Sequence, residues 1–173
     1  MMLHCHRNSA LDAEHRADIS DLDCYDLGQP QAMSLSILQL ADAIIDSVEP
    51  TGVTDDALHR LQAVFPDSLI LAALDIIDRE NVIKYETISG HVHYEVAGSS
   101  GTHTVNIGVS LGPASSFCSC PAHIYSVLLS KTHLMCKHVL AVRLAERIRV
   151  CNRRAMGQEE LAVTLQHRYT NVS

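Results

Sequence analysis

The sequence predicts an α+β fold: N-terminal helices, a small antiparallel three-stranded sheet, and a cysteine- and histidine-bearing finger leading into a long C-terminal helix. Three observations carry this. Between Ser34 and Glu80, apolar residues recur at helical spacing. Between Val82 and Val109, β-branched residues alternate with polar ones and are broken by turn signals. From Phe117 to Val142, FCSCPAHIYSVLLSKTHLMCKHVLAV sets C-x-C and C-x-H on either side of a short apolar run.

Residues 1–30 are polar and acidic, with Asp12, Glu14, Asp18, Asp21, Asp23 and Asp26, and read as a disordered tail. His4-Cys5-His6 is a coincidental cluster there, because a flexible segment offers no closed shell. Residues 31–173 read as one α+β domain. A first helix carries Leu35, Leu38, Ala41, Ile45 and Val48 on one side and ends at Pro50 and Gly52. Thr54 then caps a second helix, with Asp55 and Asp56 favoured by the helix dipole. Leu58, Leu61 and Phe65 form its apolar stripe. Pro66-Asp67-Ser68 restarts the chain into SLILAALDIIDRE, apolar nearly all round and expected to be the central buried helix.

Strands follow. VIKYETI (Val82–Ile88) turns at Ser89-Gly90 into HVHYEV (His91–Val96), and THTVNIGV follows AGSSG as the third strand. The GSSG turn lacks the Lys-Ser/Thr of a phosphate loop. His91, His93 and His103 read as strand histidines rather than a second metal site. Leu111-Gly112-Pro113 closes the sheet. After the finger, a helix is expected to about Arg149, then a break near Gly157 and a short helix from Gln158 to Gln166.

Composition sets limits. The chain has 173 residues, 47% apolar and 19% charged, as in globular proteins. With no Trp and two Phe, Leu, Ile, Val and Ala must build the core. The opening MMLHCHRNSA lacks the apolar run of a signal peptide. No stretch approaches the roughly 18 apolar residues of a membrane span. Six cysteines without a secretory signal suggest free thiols rather than disulfides. The N-V-S at Asn171 is then a chance match. Net charge is −7, divided as −11 over residues 1–80 and +4 over 81–173. That balance does not suit a bulk nucleic-acid coat.

Cys118, Cys120, Cys136 and His138 supply the Cys₃His set of a structural zinc site. In a strand, residues two apart share a face, so Cys118 and Cys120 can reach one ion. Within a helix such residues diverge, so Cys136 and His138 belong where the chain is entering one. Pro121 favours a first helical position, which predicts a helix from Pro121 through Leu129. A second begins at the other ligand pair. Both positive helix ends, with Lys137 and Lys131, would offset three thiolates. Four protein ligands leave no open position for catalysis, so the chain reads as non-enzymatic. His123 and His133 lie between the pairs and are alternatives to His138. Cys24 belongs to the tail, and Cys151 reads as a core thiol.

The pattern C-x-C, fifteen residues, C-x-H resembles the SWIM zinc finger, here spanning about residues 105–145. FCSCPA, SVLLSK and MCKHVLAV, preceded by SLILAALDIIDRENVIKYE and YEVAGSSGTHT, resemble the small SWIM proteins of the Shu complex. The resemblance covers residues 67–150. It implies a nuclear protein of homologous recombination that pairs with a RecA-like recombinase paralogue and promotes recombinase filaments on single-stranded DNA. It also implies one zinc at Cys118, Cys120, Cys136 and His138. The chain departs from that pattern in its longer acidic tail and in His123 and Arg143.

Lys131, Lys137, Arg143, Arg147, Arg149, Arg153 and Arg154 are seven of thirteen basic residues, against Glu146 alone in the same span. Arg143, Arg147, Arg149 and Lys137 are therefore candidate contacts to DNA phosphates or to an acidic partner. No aromatic ladder for stacking bases accompanies them. The expected function is an adaptor in a recombination complex, meeting single-stranded or branched DNA through that complex, with no membrane contact. The alternative is a SWIM module that binds DNA directly through a basic helix.

Overall fold

The order of elements follows from where the chain can and cannot continue a helix. The computed structural model describes residues 31–98, 101–108 and 116–170. The tail at 1–30 with His4, Cys5, His6 and Cys24, the Leu111-Gly112-Pro113 segment, Asn171 and the side chain of Leu35 lie outside the described residues.

Three helices come first: α1 (Gln31–Asp46), α2 (Asp55–Gln62) and α3 (Asp67–Asp78). Thr54 caps α2 as expected, its hydroxyl accepting from the Ala57 amide at 3.2 Å. Strands β1 (Val82–Thr87), β2 (Val92–Gly98) and β3 (Gly101–Ile107) form the expected antiparallel meander. The sheet is larger than three strands, however. It has five, in the order β4-β3-β2-β1-β5. β4 (Ser116–Cys118) pairs antiparallel with β3, and β5 (Asn152–Met156) pairs parallel with β1. β4 is too short to show a period, and NRRAM is too polar and exposed to read as a strand.

The expected long C-terminal helix is also corrected. The helix that leaves the finger, α4 (Lys137–Arg147), has 11 residues. It stops because Arg149 takes a left-handed φ of 61°. The Val150 amide then donates to the Ala145 carbonyl at 3.0 Å and the Arg149 amide to Glu146 at 3.3 Å. This paired closure satisfies carbonyls the helix end would leave open. Helix α3 ends the same way, with Glu80 at φ 55°, Asn81 donating to Ile76 at 3.1 Å and Glu80 to Ile77 at 2.9 Å. Each reversal feeds a strand, α3 into β1 and α4 into β5. The Asn152 side chain ties the two starts together by donating to the Glu80 carbonyl at 3.0 Å. A last helix, α5 (Gln158–Thr170), follows β5.

The central buried helix is α4 rather than α3. Val139, Leu140, Ala141, Val142, Leu144 and Ala145 are wholly buried, whereas Leu71 of α3 stays 64% exposed. Ile70, Ala73, Ile76 and Ile77 of α3 and Val82, Val96 and Val105 of the sheet complete the core with α4. Helix α1 adds Ala41, Ile45 and Val48. Two polar clamps hold α1 to α4: Arg143 pairs with Asp42, and Arg147 donates to the backbone carbonyls of Asp46 and Val48. Lys84 of β1 meets Glu146 at 3.3 Å on another side of α4.

Leu140→Ala is expected to cost about 2–5 kcal/mol, the loss of a wholly buried side chain plus the cavity it leaves. Ile88→Ala, at a 96% exposed position, should be near neutral. Urea denaturation of both variants in zinc-containing buffer checks the pair.

Candidate metal centre

The site forms where two chain segments stop being extended. Cys118 ends β4, and Cys120 follows two residues later, just before the chain turns helical at Pro121. Cys136 is the N-cap of α4, in extended conformation at φ −88° and ψ 166°, and His138 lies in the first turn. An extended residue followed by helix entry is what a C-x-H pair needs to turn both side chains the same way. All four residues are buried, and one donor atom from each lies within 4.8 Å of every other. Cys118 Sγ stands 3.8 Å from His138 Nδ1. Tetrahedral zinc with bonds of about 2.0–2.3 Å sets its donors roughly 3.5–3.8 Å apart, so the cluster suits one such ion.

Backbone amides already point at the sulfurs. Cys120 N donates to Cys118 Sγ at 3.5 Å, and His123 N donates to Cys120 Sγ at 3.3 Å. These bonds favour thiolates. Without a cation the three thiols compete for one charge. The contact with Cys118 holds Cys120 well below the ordinary thiol range, and the same contact pushes Cys118 up. A divalent ion resolves the competition by letting all three ionise. The donor set therefore fits structural zinc.

The segment between the ligand pairs differs from the expected α-helix. After two helical residues, 121 and 122, it runs as a π-helix from His123 to Leu129. The Ser130 amide closes it on the Tyr125 carbonyl at 2.9 Å, and Lys131 reverses the chain at φ 52°. His123 is buried against the edge of Phe117, ring centroids 5.7 Å apart, and burial favours its neutral form. His133 is exposed, with Nδ1 3.1 Å from Thr132 Oγ1. Neither belongs to the four-donor group. A cavity of about 480 Å³ opens beside the cluster, walled by Ser68, Leu69 and Ala72 of α3, with Lys137 at its rim.

The candidate basic contacts divide. Arg143 and Arg147 are engaged with α1, Lys137 is half-buried at the start of α4, and Arg149 is exposed. Charge complementarity offers a signal for the Arg143 contact alone, since Asp42 of α1 is acidic, whereas Arg147 meets backbone carbonyls that no charge pattern marks. His103, read beside His91 and His93, instead packs on His138 with ring centroids 4.5 Å apart. No spacing rule links the two. Cys151 is half-buried, and burial followed by the nearby Glu146 pushes its thiol up to about 12. It is a neutral core thiol.

A buried Cys₃His cluster bridging a strand end and a helix start, on a mixed sheet, defines a SWIM-type zinc finger protein. The SWIM zinc finger family model matches residues 103–145. The similarity extends well beyond the finger. Zinc finger SWIM domain-containing protein 7 of Mus musculus is 35% identical over 133 residues, 76% of this chain and 81% of that protein. The Homo sapiens protein of that name is 31% identical over 133 residues, covering 76% and 88%. That of Danio rerio is 28% identical over 134 residues, covering 75% and 91%. The chain belongs to the zinc finger SWIM domain-containing protein 7 family. No solved structure matches it significantly.

Purified chain is expected to carry one zinc by elemental analysis, and chelation should abolish its cooperative thermal transition. Cys136→Ala should lose the metal and melt well below wild type. Leu71→Ala, at an exposed core-distant position, should keep both.

Proposed function

We propose that this chain is a zinc-binding, non-enzymatic subunit of a Shu-type complex in the nucleus. In this role it pairs with a RecA-like recombinase paralogue and supports recombinase filament assembly in homologous recombination and DNA repair. The observation that carries the reading is the family relationship across three-quarters of the chain, which takes in the helices and sheet as well as the finger. Cys118, Cys120, Cys136 and His138 are the proposed zinc ligands. With four protein donors the shell is full, which suits a structural ion.

The surface of the finger supports a protein partner. Ile124, Tyr125, Leu128 and Leu129 are 41%, 66%, 43% and 68% exposed, at spacings that repeat along the π-helix. Large apolar groups concentrated on one exposed segment mark interaction sites more often than solvent faces. The direct DNA-binding alternative loses support at Arg143 and Arg147, whose guanidinium groups already hold α1. Arg149 and Lys137 remain as proposed contacts to an acidic partner or to DNA.

Pulldown of the zinc-loaded chain with mass spectrometry should recover a RecA-like ATPase-fold protein. Tyr125→Asp with Leu129→Asp should reduce recovery at least tenfold while keeping zinc, and Cys120→Ala should lose both. Full recovery by a metal-free variant would refute the coupling. Salt-sensitive binding of single-stranded DNA by the isolated chain, lost in Arg149→Ala, would favour the alternative.

A further inference from the structure

Gly98 closes β2 and pairs with Gly101 at the head of β3. A glycine at a hairpin end usually answers a demand for positive φ. Gly101 does so: its φ is +126°, and a Cβ there would meet nothing within 4 Å. Gly98 is the reverse case. It is absent from the left-handed region, yet a Cβ there would stand 3.0 Å from His138 Nε2. It would also stand 3.5 Å from His103 Cδ2 and 3.5 Å from the Gly101 carbonyl oxygen. Glycine here leaves room rather than supplying backbone freedom.

The neighbour that needs the room is the imidazole of the metal cluster. Its Nδ1 is on the sulfur side, 3.8 Å from Cys118 Sγ. Its Nε2 is on the far side, buried and without a hydrogen-bond partner among the described residues. A metal-ligating histidine ordinarily has that outer nitrogen held by a carboxylate, a carbonyl or water, which fixes the ring. Two neighbouring groups lie against the ring instead. One is the bare backbone of Gly98. The other is the His103 ring, tilted 41° and centred 4.5 Å away.

We infer that Gly98, with the adjoining His103 ring, is a positioning residue that orients the His138 imidazole toward the three sulfurs. The inference rests on reading His138 as a zinc ligand. An added methyl at Gly98 must push the ring, and metal–ligand distances tolerate only about 0.2 Å. The effect is local to one ligand, unlike a general loss of stability.

Cobalt(II) titration of the full chain tests this, because the visible bands of saturated protein report ligand geometry rather than folding free energy. Gly98→Ala should shift those bands and weaken zinc in chelator competition by about 10- to 100-fold. Gly90→Ala, strained at φ +81° but with open space around it, should show wild-type bands at saturation. Wild-type bands and affinity in Gly98→Ala overturn the inference, as does the same band shift in Gly90→Ala. If Gly98→Ala does not fold, His103→Ala carries the test by removing the ring packed on His138, and wild-type bands there overturn it. A His138→Ala variant with wild-type bands would instead sink the ligand reading itself.

Discussion

Three buried thiols and one imidazole held within 4.8 Å of one another are the constraint on which the rest of the structure depends. Thiols at that distance cannot all ionise alone, and neutral thiols would have no reason to cluster with an imidazole. One divalent cation removes the conflict. The energy scale matters: apparent zinc binding of about 10–16 kcal/mol is comparable to or larger than a domain's whole net stability of about 5–15 kcal/mol. Folding and metal binding are therefore one equilibrium here. The ion joins the end of β4 to the start of α4, a junction that three strand residues could not secure through ladder bonds alone.

The consequences travel along α4. Its first turn carries a ligand, its middle is the most completely buried stretch among the described residues, and its last turn holds Arg147 against the end of α1. At its end, the left-handed Arg149 sends the chain into β5. The matching left-handed Glu80 sends α3 into β1. Two packed helices with the same terminal geometry deliver their strands side by side in the same direction. That is the physical origin of the one parallel pair in an otherwise antiparallel sheet. A residue with a Cβ costs energy at such a cap relative to glycine. The cost is offset by what each cap positions.

Legibility in the sequence followed the range of each interaction. The ligand set, the Thr54 cap and the β1–β3 meander were legible because spacing, turn residues and alternation are local. The C-x-H pair was the most informative, since its spacing constrained the backbone as well as the chemistry. β5 was not legible, because its partner is sixty-nine residues away in the register Ile83 with Asn152 and its own side chains are polar. The end of α4 near Arg149 is legible to within two residues, but the left-handed cap that makes it is not, because Arg149 takes a conformation usually assigned to glycine. The engagement of Arg143 and Arg147 is not legible, because the Asp42 carboxylate and the Asp46 and Val48 carbonyls they meet lie about a hundred residues earlier. For the site, donor identity was readable and donor orientation was not. The contact of His103 with His138 exists only once the sheet is formed.

The π-helix explains how a small finger can be both firmly held and outwardly apolar. Its wider turn replaces the regular helical bond pattern by one five residues long, as at Ser130 and Tyr125. That pattern costs hydrogen-bond geometry, and apolar burial does not compensate, since Ile124, Tyr125, Leu128 and Leu129 remain exposed. Something else must hold the segment. It is fixed at both ends by the cluster, through Cys120 before it and Cys136 after it, and by the inward His123 packed on Phe117. A segment anchored from its ends needs no apolar face of its own for stability. Its apolar side chains are then free to face outward, and metal retention becomes a condition for presenting them.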